Sequence, residues 1–189
     1  AMMNGFLQER GINLAKLEEE VLGFMNWMRK NLSPERQLAH TVAVEHFTAL
    51  MAESFLLKYD DALEGMAPRI APLWAWHAVE EAEHKAVAFD VYKAVGGREW
   101  VRVSEMAMVS VMFPLFTTIH LVRLMKDDGQ LGNIKSWLSG LNYMWGTPGV
   151  FRKLLPNYVR FYSPNFHPWN HDSRPLVEKA RKRWLGNWG

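Results

Sequence analysis

The 189-residue chain has no cysteine, a formal net charge of only +2 and no glycine-rich phosphate loop. The absence of cysteine excludes disulfides, thiolate zinc sites and thiol catalysis. The basic excess lies largely in the C-terminal tail, which we interpret as a solvated helix face rather than a surface for nucleic acid or lipid. No secretory signal opens the sequence, so a cytoplasmic location is the expectation.

Strand patterns and internal repeats are also absent, and apolar residues recur instead at helical spacings of three and four. Ser33 and Pro34 mark a helix start, because serine caps a helix and proline suits its first position. The predicted helices cover residues 13–31, 34–58, 72–95, 98–126, 130–145 and 175–185. We therefore predict an all-α, ferritin-like helical bundle with additional C-terminal helices and an aromatic, proline-rich loop. It is a single domain, 1–189, with its core bundle at about 13–126 and the C-terminal helices and loop at about 130–186.

Two segments stand apart from ordinary amphipathic helix. Residues 106–121 are apolar except for serine, threonine and histidine, and they include Pro114. This run is shorter than the ~20 residues of a membrane span, so we interpret it as a buried core helix kinked at the proline. A membrane-leaning helix or an apolar substrate channel is the alternative. In the loop at 162–169, His167 either helps to lock helices together or lines a pocket.

The most informative run is residues 76–85, Trp-His-Ala-Val-Glu-Glu-Ala-Glu-His-Lys, within one predicted helix. Residues three and four apart share a helix face, so one stripe holds His77, Glu80, Glu81 and His84. The neighbours of this stripe are apolar, which predicts that it faces a core: Leu73, Trp74, Val87, Ala88 and Val91. A carboxylate buried there needs an ion-pair partner or a metal ion. Glu81 and His84 form a Glu-x-x-His unit, the ligand pattern of di-iron and di-manganese bundles.

The preceding helix offers another carboxylate. Glu45 interrupts an apolar stripe made by Leu38, Val42, Ala49, Ala52 and Leu56. Glu45, Glu81 and His84 together make half of a carboxylate-bridged di-metal pattern. We take these three as candidate metal ligands, and His77 and Glu80 as candidate catalytic groups. The alternative is a buried histidine–glutamate network that satisfies its own hydrogen bonds without metal.

Other ionisable residues receive structural interpretations. Glu83 and Lys85 lie off the stripe, so we expect them to be solvated or paired locally. Asp90 suits a salt bridge or a supporting position better than metal ligation. His120, in the apolar helix, is expected to make a local hydrogen bond.

Three stretches resemble the bacterial predicted metal-dependent hydrolase family, which is related to the ferritin-like bundles. They are residues 73–92, which hold the Glu-x-x-His unit, residues 38–49, which hold Glu45, and the Phe-His-Pro-Trp of residues 166–169. The resemblance covers most of the chain, and the three motifs occur in order. It implies a fold and a metal site more firmly than it implies a reaction.

One part of the family pattern has no counterpart here. Members carry an upstream Gln-Glu-x-x-His segment with a further histidine, followed by an asparagine that Asn4 resembles. The resemblance therefore implies an N-terminally incomplete chain that binds metal weakly or not at all and is inactive as it stands. A groove where the missing helix packs would favour a homodimer.

Two reactions suit such a site. In the first, metal-activated water attacks an ester, amide or phosphate. In the second, two irons activate dioxygen to oxidise an apolar small molecule. Iron or manganese suits the ligands best, and zinc is also compatible. A third hypothesis is a metal-free helical module that docks a partner or a membrane, although membrane association is not favoured and no nucleic-acid partner is expected.

Overall fold

The computed structural model describes residues 14–58, 63 and 65–186, and this part of the chain is all-α. The helices are α1 (Leu14–Asn31), α2 (Pro34–Lys58), α3 (Ala71–His84), α4 (Val87–Ala94), α5 (Glu99–Asp127), α6 (Ile134–Trp145), α7 (Val150–Arg160) and α8 (Arg174–Ala180). A 3₁₀ turn spans Pro168–Asn170, and a π-helical turn, Arg181–Leu185, continues α8. The predicted first residue of α1, and residues 59–62 and 64 of the connector after α2, lie outside the described residues.

Helix α2 is the centre of the fold and packs against α3, α4, α5 and α7. It begins as predicted, since Pro34 is its first residue and the Ser33 Oγ accepts a hydrogen bond from the backbone N–H of Arg36. Alanines on α2 are fully buried, and they let the neighbouring helices approach closely. The main core joins α2 to Phe89, Tyr92, Val101, Met106 and Phe161.

The predicted helix at 72–95 is divided into α3 and α4 by a break at residues 85–86. The break lets the side chain of Lys85 point into the interior. The end of α4 follows the glycine signal, because Gly96 has a φ of +76°. At Gly97 an added Cβ would lie 2.4 Å from the ring of Tyr92, so only glycine fits there without rearrangement.

The prediction of a buried helix at residues 106–121 is wrong. Only the first third of α5 is buried, through Val101, Arg102, Glu105, Met106 and Val109. The helix continues through Pro114, and none of its residues after Val109 is buried. Apolar content predicted a core here. Phe113 stacks on Phe47 of α2 and Arg123 pairs with Glu20 of α1, but these contacts leave most apolar residues of this half exposed.

The C-terminal region is more helical than predicted. Four prolines between residues 156 and 175 indicated irregular structure, yet α7 forms and contains Pro156. Helix α6 starts four residues later than predicted, with Asn133 as its N-cap accepting from the Ser136 N–H. The predicted final helix is α8 with its π-helical turn, and it ends at Gly186.

Candidate metal centre and polar pocket

The core side of α3 is a stripe of small residues rather than the predicted histidine–glutamate stripe. The buried residues of α3 are Ala71, Ala75, Ala78, Val79 and Ala82. The side chains of His77 and His84 are 54% and 63% exposed, so the prediction that their stripe faces a core is wrong. The flanking large residues are exposed as well: Leu73, Trp74, Val87 and Val91. Alanines allow α3 to lie closer to α2, which places the larger side chains outside.

Within the stripe, each imidazole pairs with a carboxylate one turn away. The Nε2 of His77 lies 3.8 Å from an oxygen of Glu81, and the Nδ1 of His84 lies 3.6 Å from an oxygen of Glu80. Such partly exposed pairs on one helix contribute only about 0.3–0.5 kcal/mol to the stability of the folded protein. Stability therefore does not explain why four ionisable residues share this face.

Glu45 on α2 points toward this face of α3. Its Oε2 is buried and has no hydrogen-bond partner. Burial raises the pKa of the Glu45 carboxyl, the backbone N–H of Ala88 lowers it, and the nearby charges of Glu81 and His84 raise and lower it respectively. The fold thus brings Glu45, Glu81 and His84 within electrostatic range of one another. His77 adjoins this group through Glu81, and Glu80 adjoins it through His84.

The donors do not yet converge on one point. Across residues 14–58, 63 and 65–186, no three His, Asp or Glu side chains are arranged closely enough to hold a metal ion. The imidazole of His84 is turned toward Glu80, and Glu81 is turned toward His77. Metal binding by Glu45, Glu81 and His84 therefore requires rotation of exposed side chains.

An apolar cavity adjoins the stripe. It has a volume of about 280 Å³ and lies between α2 and α3. His77 and Glu81 are at its edge, and the rest of its lining is Thr48, Met51, Ala52, Phe55, Trp74 and Ala78. A ligand placed here would contact the ionisable stripe with one end and an aromatic wall with the other.

A family model described as "Predicted metal-dependent hydrolase" matches residues 1–172. The chain belongs to this family. No curated protein and no solved structure matches it. Membership confirms the resemblance carried by the three motifs, and it makes a divalent metal the cofactor that the family implies. Which metal, and which residues bind it, must be argued from this chain.

A second cluster of ionisable residues was missed in the sequence. The Nζ of Lys85 donates to Glu53 Oε1 at 2.9 Å, to the carbonyl oxygen of His171 at 2.7 Å and to Ser173 Oγ at 2.8 Å. The Nε2 of His171 lies 3.1 Å from the other oxygen of Glu53. Lys85 and Glu53 are both nearly inaccessible to solvent. The expectation that Lys85 is solvated or paired locally is wrong, because its main partners lie on α2 and in the C-terminal loop.

The burial of Lys85 could have been predicted from its spacing relative to other buried residues. Lys85 is three residues after Ala82 and four before Phe89, both of which are buried. It therefore continues the small-residue stripe of α3 rather than the exposed side. Glu83, in contrast, pairs with Arg181 of the C-terminal turn on the surface.

The buried lysine lies beside a polar pocket of about 300 Å³. The C-terminal loop closes one side of it, and His167 is part of the lining, which is one of the two roles left open for this residue. His167 also holds the loop in place, since its Nε2 lies 2.9 Å from Asp90 Oδ1, which makes Asp90 the salt-bridge residue expected.

His120 on α5 does not make the local hydrogen bond that was expected, because neither of its ring nitrogens has a hydrogen-bond partner.

His46 is the most deeply buried histidine of this pocket. It packs against Phe161 and Phe166, and its Nε2 has no hydrogen-bond partner. Burial lowers the pKa of the imidazole to about 4, against the opposing effect of a hydrogen bond to the backbone of Asn157. His46 is therefore neutral at pH 7, and its free nitrogen is a hydrogen-bond acceptor.

We predict that His46 makes stability depend on pH below neutrality. Because its pKa is lower in the folded protein than in the unfolded chain, the unfolded chain takes up the proton first as the pH falls below 6.5. The free energy of unfolding should fall by about 2 kcal/mol between pH 7 and pH 5 from this group alone. Urea denaturation at the two pH values measures the loss.

The matched comparison uses two leucine variants. His46→Leu should remove most of this pH dependence, whereas His84→Leu, which alters an exposed imidazole, should keep it. Equal pH dependence in the wild type and in His46→Leu would contradict the assignment.

Proposed function

We propose that the protein is a hydrolase whose divalent metal is held by Glu45, Glu81 and His84. The observation that carries this proposal is the buried, unpartnered Oε2 of Glu45. A buried polar atom without a partner is unfavourable and is rare in folded proteins. The unsatisfied oxygen lies next to a Glu-x-x-His unit, and a cation bound between them would give this oxygen the partner that it lacks.

The donor set fits the metal that the family implies. Two carboxylates and one imidazole suit iron, manganese or zinc. Burial is the main cause of the raised pKa of Glu45, and the negative charge of Glu81 adds to it; a cation between the two carboxylates would remove their repulsion. A bound divalent ion would lower the pKa of its water and polarise the bond to be broken.

His77 and Glu80 are proposed to handle protons in this reaction. Both lie on the stripe that carries Glu81 and His84, and both are accessible to solvent. A general base must reach the proton it removes, and the imidazole of His77 opens onto the apolar cavity. Glu80 lies 3.6 Å from the imidazole of His84, and it becomes free to accept a proton when His84 turns toward Glu45 and Glu81.

The cavity supports a substrate with an apolar part. Its wall contains Phe55 and Trp74, with Met51 and two alanines. These side chains would bind a hydrocarbon group and exclude water from it. We therefore propose an ester or amide of an apolar acid as the substrate class.

The test is metal content and stability in Glu45→Gln. Glutamine resembles the protonated carboxyl that the fold favours, so the variant should bind less metal. In the metal-free state it should also be more stable than the wild type at pH 7, by about 1 kcal/mol. The sign follows from the raised pKa, because the stability that the carboxyl contributes is present at acidic pH and is lost as the pH rises. Metal is measured by plasma mass spectrometry after reconstitution, and stability by urea denaturation with chelator.

The control is Glu83→Gln, which alters a neighbouring carboxylate that pairs with Arg181. It should leave metal binding unchanged. If the wild type binds no metal after reconstitution, the proposal is wrong and the stripe belongs to a metal-free helical module.

A di-iron oxidase is the second candidate, favoured by the apolar wall of the cavity. The two reactions differ in their need for oxygen. Turnover of an ester or amide without dioxygen, with zinc in place of iron, would support hydrolysis. Dioxygen consumption that depends on iron and on an apolar substrate would support oxidation instead.

A further inference from the structure

Helix α6 presents its apolar side to solvent. Ile134, Leu138, Leu141 and Trp145 follow one another at spacings of four, three and four, so they form a single stripe. Each of them is at least half exposed, and no residue of α6 is buried. The opposite side carries Ser136, Ser139 and Tyr143, whereas Lys135 and Asn142 flank the stripe. A soluble helix normally turns such a stripe inward, and this one is turned outward.

The distal half of α5 has a second exposed apolar surface. Its exposed residues include Val111, Met112, Leu115, Phe116 and Ile119. The helix is long and apolar enough to cross a membrane by length and composition, with a mean hydropathy of 1.6 over its most apolar 18 residues, of which 6% are buried. The low burial distinguishes it from the core helix of a soluble protein.

A spanning arrangement is nevertheless incompatible with the fold. The first third of α5 packs on α2 and carries the buried residues Arg102 and Glu105. The uncharged stretch beyond it, residues 110–122 before Arg123, covers roughly 20 Å of helix, less than the ~30 Å of a bilayer core. This half of α5 can therefore enter a bilayer only at its surface.

The chain from the α5–α6 loop through α7 carries charges of one sign, and the exposed Asp127 and Asp128 precede it at the end of α5. Residues 129–171 contain no aspartate or glutamate and carry four basic residues: Lys135, Arg152, Lys153 and Arg160. The basic residues of α7 are exposed, and α7 packs against α6. Trp145 lies in the stripe and Trp137 at its edge, and tryptophan is enriched at membrane interfaces. An apolar stripe, interfacial aromatics and surrounding cations are the features of a helix that lies in an anionic lipid surface.

We propose that α6, together with the distal half of α5, docks this protein on an anionic lipid bilayer without spanning it. The apolar stripe enters the boundary between headgroups and acyl chains, and the basic residues of α6 and α7 contact lipid phosphates. This surface does not include the candidate metal ligands, so the proposal stands apart from the proposed hydrolysis.

The test is co-sedimentation with vesicles, using the whole chain. The vesicles are phosphatidylcholine alone, or phosphatidylcholine mixed with phosphatidylglycerol, at low and high salt. The wild type should bind the mixed vesicles at low salt, with weaker binding in high salt and to phosphatidylcholine alone. The variant Leu138→Asp/Leu141→Asp, altered in the stripe, should bind at least about tenfold more weakly.

The matched control is Ser136→Asp/Ser139→Asp, which places the same two charges on the opposite side of α6. It should retain most of the binding, so that the loss in the stripe variant cannot be due to charge alone. Circular dichroism verifies that both variants are folded, as expected for exposed positions. Absence of vesicle binding by the wild type would overturn the proposal, as would an equal loss in both variants. A dimer that only the stripe variant dissociates, without vesicle binding, would assign the surface to a second copy of the chain instead.

Discussion

Replacing Lys85 with methionine should lower the free energy of unfolding by about 3–5 kcal/mol, because it leaves a buried carboxylate without its counter-charge. Glu53 would lose the ammonium group at 2.9 Å, and the Oγ of Ser173 and the carbonyl of His171 would lose their donor. Methionine is similar in length to lysine, so the loss reflects charge and hydrogen bonding more than a cavity. Urea denaturation at pH 7 measures it.

The control for Lys85 is Lys93→Met. Lys93 also pairs with a glutamate at a short distance, but both side chains of the Lys93–Glu99 pair are more than two-fifths exposed. Removal of such a pair should change the free energy of unfolding by at most about 1 kcal/mol. Similar losses in the two variants would show that burial of the Lys85–Glu53 pair has no special energetic role.

A double variant tests whether the pair itself, rather than methionine at position 85, causes the loss. Lys85→Met combined with Glu53→Leu removes both charges. It should be more stable than the sum of the two single changes predicts, by about 1–3 kcal/mol. Strict additivity would mean that Lys85 and Glu53 do not depend on each other.

The sequence predicted the helices of the bundle better than their orientation. The start of α2 at Ser33 and Pro34 and the glycine end of α4 depend on local backbone chemistry, which a sequence displays directly. The face of α3 that turns inward depends on what α2 presents. Helix α3 has an alanine stripe and a histidine–glutamate stripe, and either could face α2. Large apolar neighbours such as Trp74 led to the wrong prediction that the histidine–glutamate stripe faces inward.

The helical spacing of the sequence was enough to group the candidate ligands, but it did not predict the polar pocket. Glu45, Glu81 and His84 could be grouped because a helix repeat places Glu81 and His84 together and the neighbouring helix offers a carboxylate. Their role as ligands, like the ferritin-like arrangement, stays a prediction. Lys85, Glu53 and His171 come from three distant parts of the chain, and no local spacing relates the C-terminal loop to α2.

Exposure of the distal half of α5 illustrates a further limit of composition. An apolar helix can be buried in a core, in a membrane or in an interface, and the same residues suit all three. Only the packing of its first third on α2 shows which part of it belongs to the core of the fold. The proposal of a lipid-docking surface therefore required the three-dimensional arrangement of α5, α6 and α7.

Replacing Arg102 with methionine should lower the free energy of unfolding by about 3 kcal/mol, because two backbone carbonyl groups lose a charged donor. The guanidinium group is almost completely buried and donates to the carbonyl oxygens of Phe161 and Ser163, which begin the C-terminal loop. It also lies over the ring of Phe161, 4.6 Å from its centre. Arg102 thus attaches the loop that closes the polar pocket to α5, and urea denaturation measures the loss.

The control on the same helix is Arg123→Met. Arg123 pairs with Glu20 of α1, but its side chain is nearly half exposed and contacts no part of the loop. We expect a change of at most about 1 kcal/mol there. Limited proteolysis adds a readout specific to the loop, since cleavage between residues 161 and 171 should become faster in Arg102→Met and stay unchanged in Arg123→Met. A loss of stability without faster cleavage in the loop would mean that Arg102 acts on the core as a whole, and the assignment of the loop attachment to this one side chain would be wrong.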